Sequence, residues 1–380
     1  MAYRAGHQLK LNIPSPGRHL HHPAEKGRYL KMLKMFLSAA TLLLLGGPLL
    51  VVGVTAEAQA DLLVTSQNFG RILHYDGATG QFKGNISDNS GFAEQFQGVT
   101  FGPDRDMFVA EFGGLQSAVL RFSGSTFQFI GAFAQVGDVV SHLFPTGITF
   151  GPDNNLFVAS GSGSGDSVLK FNGSTGQLIG TFVPIIGGIT DSAHYLKFGP
   201  DGNLYVSGAS AGVKRYDGMT GALIDTFVPE VGFFQGLDFG PDGNLYVADL
   251  RGSDVLRFSG TTGAFIDAFV PSGSGGLSNP QDIRFGSDGL LYVTSANTDS
   301  VLRFSGSTGA FVDQFVMPGS GGLDVPMFLA LTPPAVSGPS SFILLVAGLG
   351  VLGTVARVRR GIWGRCGKAS NTRMARWMRI

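Results

Sequence analysis

The feature that most limits what this chain can fold into is a unit of roughly 45 residues that returns along its middle. Its first landmark, FGPD, stands at 101–104, 150–153, 198–201 and 239–242, with FGSD at 285–288, so successive units start 49, 48, 41 and 46 residues apart. An alternating segment follows each time: MFVAE (107–111), LFVAS (156–160), LYVSG (204–208), LYVAD (245–249) and LYVTS (291–295). Next comes a segment with a tight turn, such as VLRFSGST (119–126) or VLRFSGSTG (301–309). Each unit then ends on a last apolar segment such as QLIGTF (177–182) or AFIDAF (264–269).

Apolar residues alternate with polar ones at a period of two, which is a strand signal and not a helical one. Asp-Gly, Asn-Asn and Ser-Thr-Gly punctuate the strands and supply the positive-φ positions that tight hairpins need. They account for much of the chain's 58 glycines in 380 residues. Four short strands per unit of this length is the blade of a β-propeller. Five units are complete. A sixth is divided: DLLVTS (61–66), RILHYDGATG (71–80) and QFKGNI (81–86) supply all but its first strand. Near the other end, GGLDVPMFLALTPP (321–334) aligns with GGLSNPQDIRFGSD (275–288), placing MFLAL (327–331) where QDIRF stands. The expected fold is therefore all-β, a six-bladed β-propeller with four-stranded blades, closed by a C-terminal strand joining the N-terminal blade. Closure removes the two free sheet edges an open ring would expose. The recurring Phe and Tyr positions are expected to be core, packed between blades.

Charge is distributed unevenly behind a formal net of zero. Residues 61–335 carry 12 Lys/Arg against 25 Asp/Glu, whereas residues 336–380 carry 8 Lys/Arg and no acid. An acidic body without a basic stripe argues against nucleic acid as a partner. Residues 36–54 form an apolar run behind Lys26, Arg28, Lys31 and Lys34, and AEAQA at 56–60 ends in small residues around Gln59. This order is that of a secretory signal, so residues 1–60 read as a signal region, with Met32 and Met35 as alternative translation starts. The body, 61–335, contains no cysteine; the lone Cys366 lies beyond it, so disulfides play no part in the body's stability.

A second apolar run, 342–356, precedes Arg357, Arg359 and Arg360. The stretch VSGPSSFILLVAGLGVLGTVARVRR (336–360) resembles the bacterial PEP-CTERM sorting signal, keeping Pro339, Ser340, Ser341, the apolar run and the arginines. It has Ser337 and Gly338 where that family has a Pro and a Glu, and a basic tail, 361–380, continues past it. The resemblance implies a chain that is exported and held at the cell surface or envelope, with membrane contact through this segment.

No nucleophile elbow, HExxH, Walker loop or cysteine pair is present, so no catalytic residues are assigned. The Asp-rich turns at 104–106, 153–155, 201–203 and 242–244 hold too few carboxylates for calcium and read as hairpin caps. Four residues before each inner-strand Phe stand Gln97, Thr146, His194, Gln235 and Gln281, with Met327 equivalent in the closing strand. With Asp282 beside them, and His142 and Asp191 near in sequence, these are the candidate ligand-binding residues of the axial channel. One imidazole without a matching carboxylate set makes a poor metal site, so no metal or cofactor is expected.

The blades resemble NHL-repeat and related six-bladed propellers, most closely over LYVADLRGSDVLRFSG (245–260). That resemblance implies a ligand-binding or interaction scaffold. Some relatives are sugar-lactone hydrolases with a channel metal, whose Glu, Asn and Asp ligands have no counterparts on these inner strands. The expected function is a monomeric, non-enzymatic scaffold for an extracellular polysaccharide or envelope protein, binding through loops 87–97, 134–146 and 184–194. The alternative is an extracytoplasmic hydrolase or lyase working at the channel mouth near His194.

Overall fold

The computed structural model describes residues 59–67, 70–86, 95–112, 117–135, 144–161, 167–184, 193–208, 212–229 and 232–334. The signal region up to residue 58, residues 335–380, His142, Asp191 and most of the three long loops lie outside them. Among the described residues no helix is long and apolar enough to cross a membrane.

Six four-stranded antiparallel sheets form the body, and in every one the strands lie in the order inner, second, third, outer. Blade two shows the pattern: Gln95–Phe101, Met107–Phe112, Ala118–Phe122 and Phe129–Gln135. The inner strands of blades three to six are Pro145–Phe150, Ala193–Phe198, Phe234–Phe239 and Pro280–Phe285. Blade one is composite, as the repeat alignment requires. Its inner strand, Pro326–Leu331, pairs antiparallel with Leu62–Ser66, which continues to Arg71–Tyr75 and Phe82–Ile86. Each inner strand packs against the inner strands of both neighbouring blades, and Pro326–Leu331 lies between those of blades six and two. The ring is closed.

Register defines two ends of the propeller. Phe101, Met107, Phe122 and Phe129 stand in one row across blade two, and Leu331, Leu62, Tyr75 and Phe82 form the matching row in blade one. This end, where inner strands finish, carries the FGPD hairpins and both chain exits; we call it the turn face. The opposite end, where inner strands begin, is the loop face. The FGPD carboxylates are consumed in their own hairpins: Asp201 Oδ1 accepts from the Asn203 N–H at 3.1 Å, and its Oδ2 accepts from Asn203 Nδ2 at 2.8 Å and Tyr205 O–H at 3.0 Å.

The predicted aromatic positions are core. Tyr205 is fully buried between Phe227 of its own outer strand, 5.1 Å away, and Phe239 of the next inner strand, 5.0 Å away, both edge-on. Phe108, Phe157 and Tyr246 repeat this contact at their own seams. Edge-on geometry adds about 0.5–1.5 kcal/mol per pair beyond area burial. Arg215 lies 4.7 Å over the Phe227 ring while its guanidinium grips Asp225 through two hydrogen bonds, covering the seam from outside.

At the seam of blades one and two the same positions hold Leu63, His74 and Ile86. There Asp61 takes over as the organiser. Its Oδ1 accepts from the Gly77 N–H at 2.9 Å and its Oδ2 from His74 and Lys83 at 2.8 Å each. Its backbone exchanges hydrogen bonds with Thr332, both at 2.8 Å. The first residue of the expected body is thus tied to the last turn of the closing strand.

The GGL loops before the inner strands of blades six and one are twins, which confirms the alignment that predicted closure. Leu277 and Leu323 are both buried, and Gly275 and Gly321 have φ of 60° and 66°. A Cβ on Gly321 would sit 2.2 Å from the Phe82 ring, so only glycine fits. The twins differ one residue before the proline, where Asn279 and Val325 both adopt positive φ, 57° and 49°. Asparagine tolerates this region, whereas a β-branched residue is strained in it. Val325→Asn is expected to stabilise the body by about 1 kcal/mol, read as a higher urea midpoint at unchanged slope. An unchanged or lower midpoint would show that Val325 carries no strain.

Candidate functional site

The axis of the ring is the place where one side chain from each blade converges. In every sheet the ladder between inner and second strand shifts register once. At that level blades two, three and five carry Gly98, Gly147 and Gly236. A Cβ on Gly98 would lie 2.5 Å from the Thr146 carbonyl oxygen of the next inner strand, so these glycines let the strands approach. Blades four, six and one carry Tyr195, Asp282 and Phe328 instead. Tyr195 and Phe328, from opposite blades, stack with centroids 4.3 Å apart and planes at 26°. The Tyr195 hydroxyl donates to the Met327 carbonyl at 3.4 Å, and both rings are buried. The channel is plugged across its axis by an aromatic pair.

Beside the plug lies a buried charge network. Asp282 is fully buried; its Oδ2 accepts from the Leu329 N–H of the closing strand at 3.0 Å, and its Oδ1 from the Ile283 N–H at 2.8 Å and Arg284 at 2.9 Å. Asp238 repeats the device one blade earlier. Its Oδ2 accepts from the Phe285 N–H at 3.1 Å, while Oδ1 accepts from the Phe239 N–H at 3.0 Å and faces Lys197 Nζ at 2.8 Å. Each carboxylate thereby clasps the inner strand of the following blade. Burial pushes Asp282 up to about 6, with Arg284 offsetting only part of the cost. Burial acts on Asp238 in the same direction, yet Lys197 and Arg284 outweigh it and hold this carboxyl below its ordinary range. For Arg284 burial favours the neutral form, but the two carboxylates win and its pKa rises.

On the turn-face side of the plug, all six inner strands line a cavity of about 270 Å³, with Thr100, Thr149, Lys197, Asp238 and Arg284 as its polar groups. Sequence reasoning missed these residues. The signal was available: immediately before the inner-strand Phe the blades read Thr100, Thr149, Lys197, Asp238, Arg284 and, before Leu331 of the closing strand, Ala330, while the flanking positions repeat.

The sequence-predicted residues stand on the loop-face side, at one register level. Gln97 and Gln281 are buried, and Gln281 Nε2 donates to Asn279 Oδ1 at 2.5 Å. Thr146 Oγ1 donates to the Ala193 carbonyl of the next inner strand at 2.8 Å. Gln235 is 2% exposed, and its Oε1 has no hydrogen-bond partner among the described residues. His194 is half-buried, and burial lowers its pKa, so the imidazole is neutral near pH 7. Asp282 belongs to the clasp at the plug, not to this level. Among the described residues no group of three or more His, Cys, Asp or Glu is placed to hold a metal ion.

No family model matches the chain, and no curated protein matches it. Solved structures do. A protein of unknown function from Bacteroides caccae is similar at a TM-score of 0.57 and 13% identity, over 72% of this chain and 99% of that one. The nidogen/laminin complex contains a chain similar at 0.55 and 15% identity, over 72% and 98%. A catalytically inactive variant of virginiamycin B lyase from Staphylococcus aureus with quinupristin is similar at 0.52 and 14%, over 73% and 94%. At these identities the likeness is one of fold, and the fold that this chain shares is the β-propeller.

Proposed function

We propose that this propeller is an exported binding scaffold for envelope or matrix components, an extracellular polysaccharide being the favoured ligand, with its specificity concentrated on the loop face around the axis. One observation carries the reading. At an otherwise repetitive level of the inner strands, Gln97, Thr146, His194, Gln235 and Gln281 gather hydrogen-bonding groups of neutral character, with Met327 completing the ring, and the Gln235 acceptor is buried without a partner among the described residues. A buried acceptor left unmade costs about 1–3 kcal/mol, a cost that a hydroxyl-bearing ligand or a water would relieve. A plugged axis also makes each mouth a closed-ended site and not a pore.

The test is Gln235→Leu, assayed for binding of the mature chain to envelope polysaccharide by biolayer interferometry. Binding is expected to weaken about tenfold, the worth of one hydrogen bond to a neutral partner, while stability stays level or rises. Unchanged binding alongside unchanged stability would remove the loop face from consideration. The second reading, a hydrolase or lyase at this mouth, draws support from the neutral, base-ready imidazole of His194. Release of fragments from the same polysaccharide, abolished by His194→Ala, would favour it over the scaffold.

A further inference from the structure

Except for Met317, 60% exposed just past the loop-face end of the outer strand Phe311–Val316, the exposed large apolar side chains of the described residues fall into a pattern around this body. The outer strands of blades two to six each begin with two adjacent apolar residues, both exposed. The second of each pair, Ile130, Ile179, Ile224, Ile266 and Val312, is 44–56% exposed, and the first is a Phe or Leu at 38–56%. Register sets their height: the first residue of each pair stands opposite the last aromatic of the third strand, in the row that ends the turn face. Met219, 88% exposed, extends the pattern onto the turn face itself, at the tip of the blade-four turn. Five blades thus each present an exposed apolar pair at one height beside one face, a belt in which exposure repeats with the blades and is not singly scattered.

Both chain exits lie on that same face. Asp61 and Thr332 are bonded to each other there, and the apolar run 342–356 starts eight residues beyond Pro334. Fully extended, that connection reaches at most roughly 28 Å. We propose that the propeller rests on a lipid bilayer with its turn face down, the belt seated at the interface and the loop face presented outward. This rests on reading 342–356 as membrane-directed, the surface-retained part of the proposed function.

Charge narrows the lipid. Several carboxylates near this face are ion-paired, Arg121 with Asp104 and Asp106, Lys170 with Asp153, Arg257 with Asp267, Arg303 with Asp313, whereas Asp217 beside Met219 and Asp288 are held by hydrogen bonds alone. With a net acidic body, anionic headgroups gain no attraction from it, so the surface is matched to zwitterionic lipid and its binding is apolar in origin.

The full chain in phosphatidylcholine vesicles, reacted with a photoactivatable lipid-phase carbene probe, is expected to take label at the starts of the outer strands and at Met219, with the loop face unlabelled. A chain ending at Pro334 retains every strand described, since these end at Leu331. It is expected to bind the same vesicles weakly and independently of salt. The combined Ile130→Ser, Ile179→Ser, Ile224→Ser and Ile266→Ser variant should lower that partitioning about tenfold or more at unchanged melting temperature. Insertion of 342–356 without label on the belt overturns the docking and leaves the tether standing. Vesicle binding by the chain ending at Pro334, lost in the Ser variant, with 342–356 found outside the bilayer, keeps the docking and removes the tether. Cross-links between copies through the belt residues, in place of lipid label, overturn the proposal in favour of self-association.

Discussion

Removing residues 323–334 is expected to leave a body that no longer unfolds cooperatively and is digested by protease at concentrations the parent resists. Those residues hold Leu323, Phe328 and Leu329, all buried, and truncation of a buried Leu or Phe to Ala alone costs about 2–5 kcal/mol. Their loss also uncovers the edge of Leu62–Ser66 and the inner-strand flanks of blades six and two. Polar partners go as well. Ser66 exchanges hydrogen bonds with Asp324, Thr65 accepts from the Phe328 N–H, and Asp282 loses the Leu329 N–H. The sum is comparable to the whole stability of a domain, about 5–15 kcal/mol. Calorimetry checks it: a single transition at the parental temperature in the deletion would show that the ring does not depend on its seam. Leu329→Ala is the graded control, expected to cost about 3 kcal/mol with the transition still cooperative.

That seam was legible because it is written in repeated letters. Strand period, hairpin glycines and the aromatic ladder recur in every blade, since each blade meets the same neighbours in the same geometry. The absence of one strand at the front and the surplus of one at the back then had a single solution. The axis obeys the opposite logic. Tyr195 and Phe328 meet from opposite sides of the ring, 133 positions apart in the chain, and nothing local in either strand announces the other. Lys197, Asp238 and Arg284 escaped for the same reason: a repeat alignment rewards what blades share, and these positions are where they differ. Asp282 was drawn into the channel set by its neighbour Gln281. Adjacent residues on a strand point to opposite sides, and the irregularity in the ladder there turns its carboxylate onto the next blade. At the loop face the register was readable, whereas the direction of each glutamine was not.

Asp282 is also where the second large effect is expected. Asp282→Ala leaves Arg284 facing a buried gap and strips the Leu329 N–H of its acceptor, so the loss should be about 3–5 kcal/mol, as when one member of a buried ion pair is deleted. Asp238, one blade away, also attracts Arg284, but it is engaged by Lys197 and by the Phe285 and Phe239 N–H groups, so it offsets only part of the loss. Asp282→Asn separates charge from shape, since the amide oxygen can still accept from Leu329. Here pH gives the discriminating readout. The folded carboxyl sits at about 6, above its ordinary 3.8, so the folded state holds the proton more tightly than the unfolded chain. Its contribution is therefore fully present below 3.8 and is lost as pH rises through 6. Asp238 has the opposite sign: its depressed pKa gives stability above 3.8 that is lost only at still lower pH, outside this window. Between pH 4 and 6, then, Asp282 makes the native protein less stable with rising pH; Asp254, which burial and the neighbouring Asp249 also push up to about 6, adds a slope of the same sign, so Asp282→Asn is expected to reduce the slope of the urea midpoint and not to abolish it. A slope as steep as the parent's would mean that Asp282 does not change its protonation on unfolding in this window, leaving the dependence to Asp254.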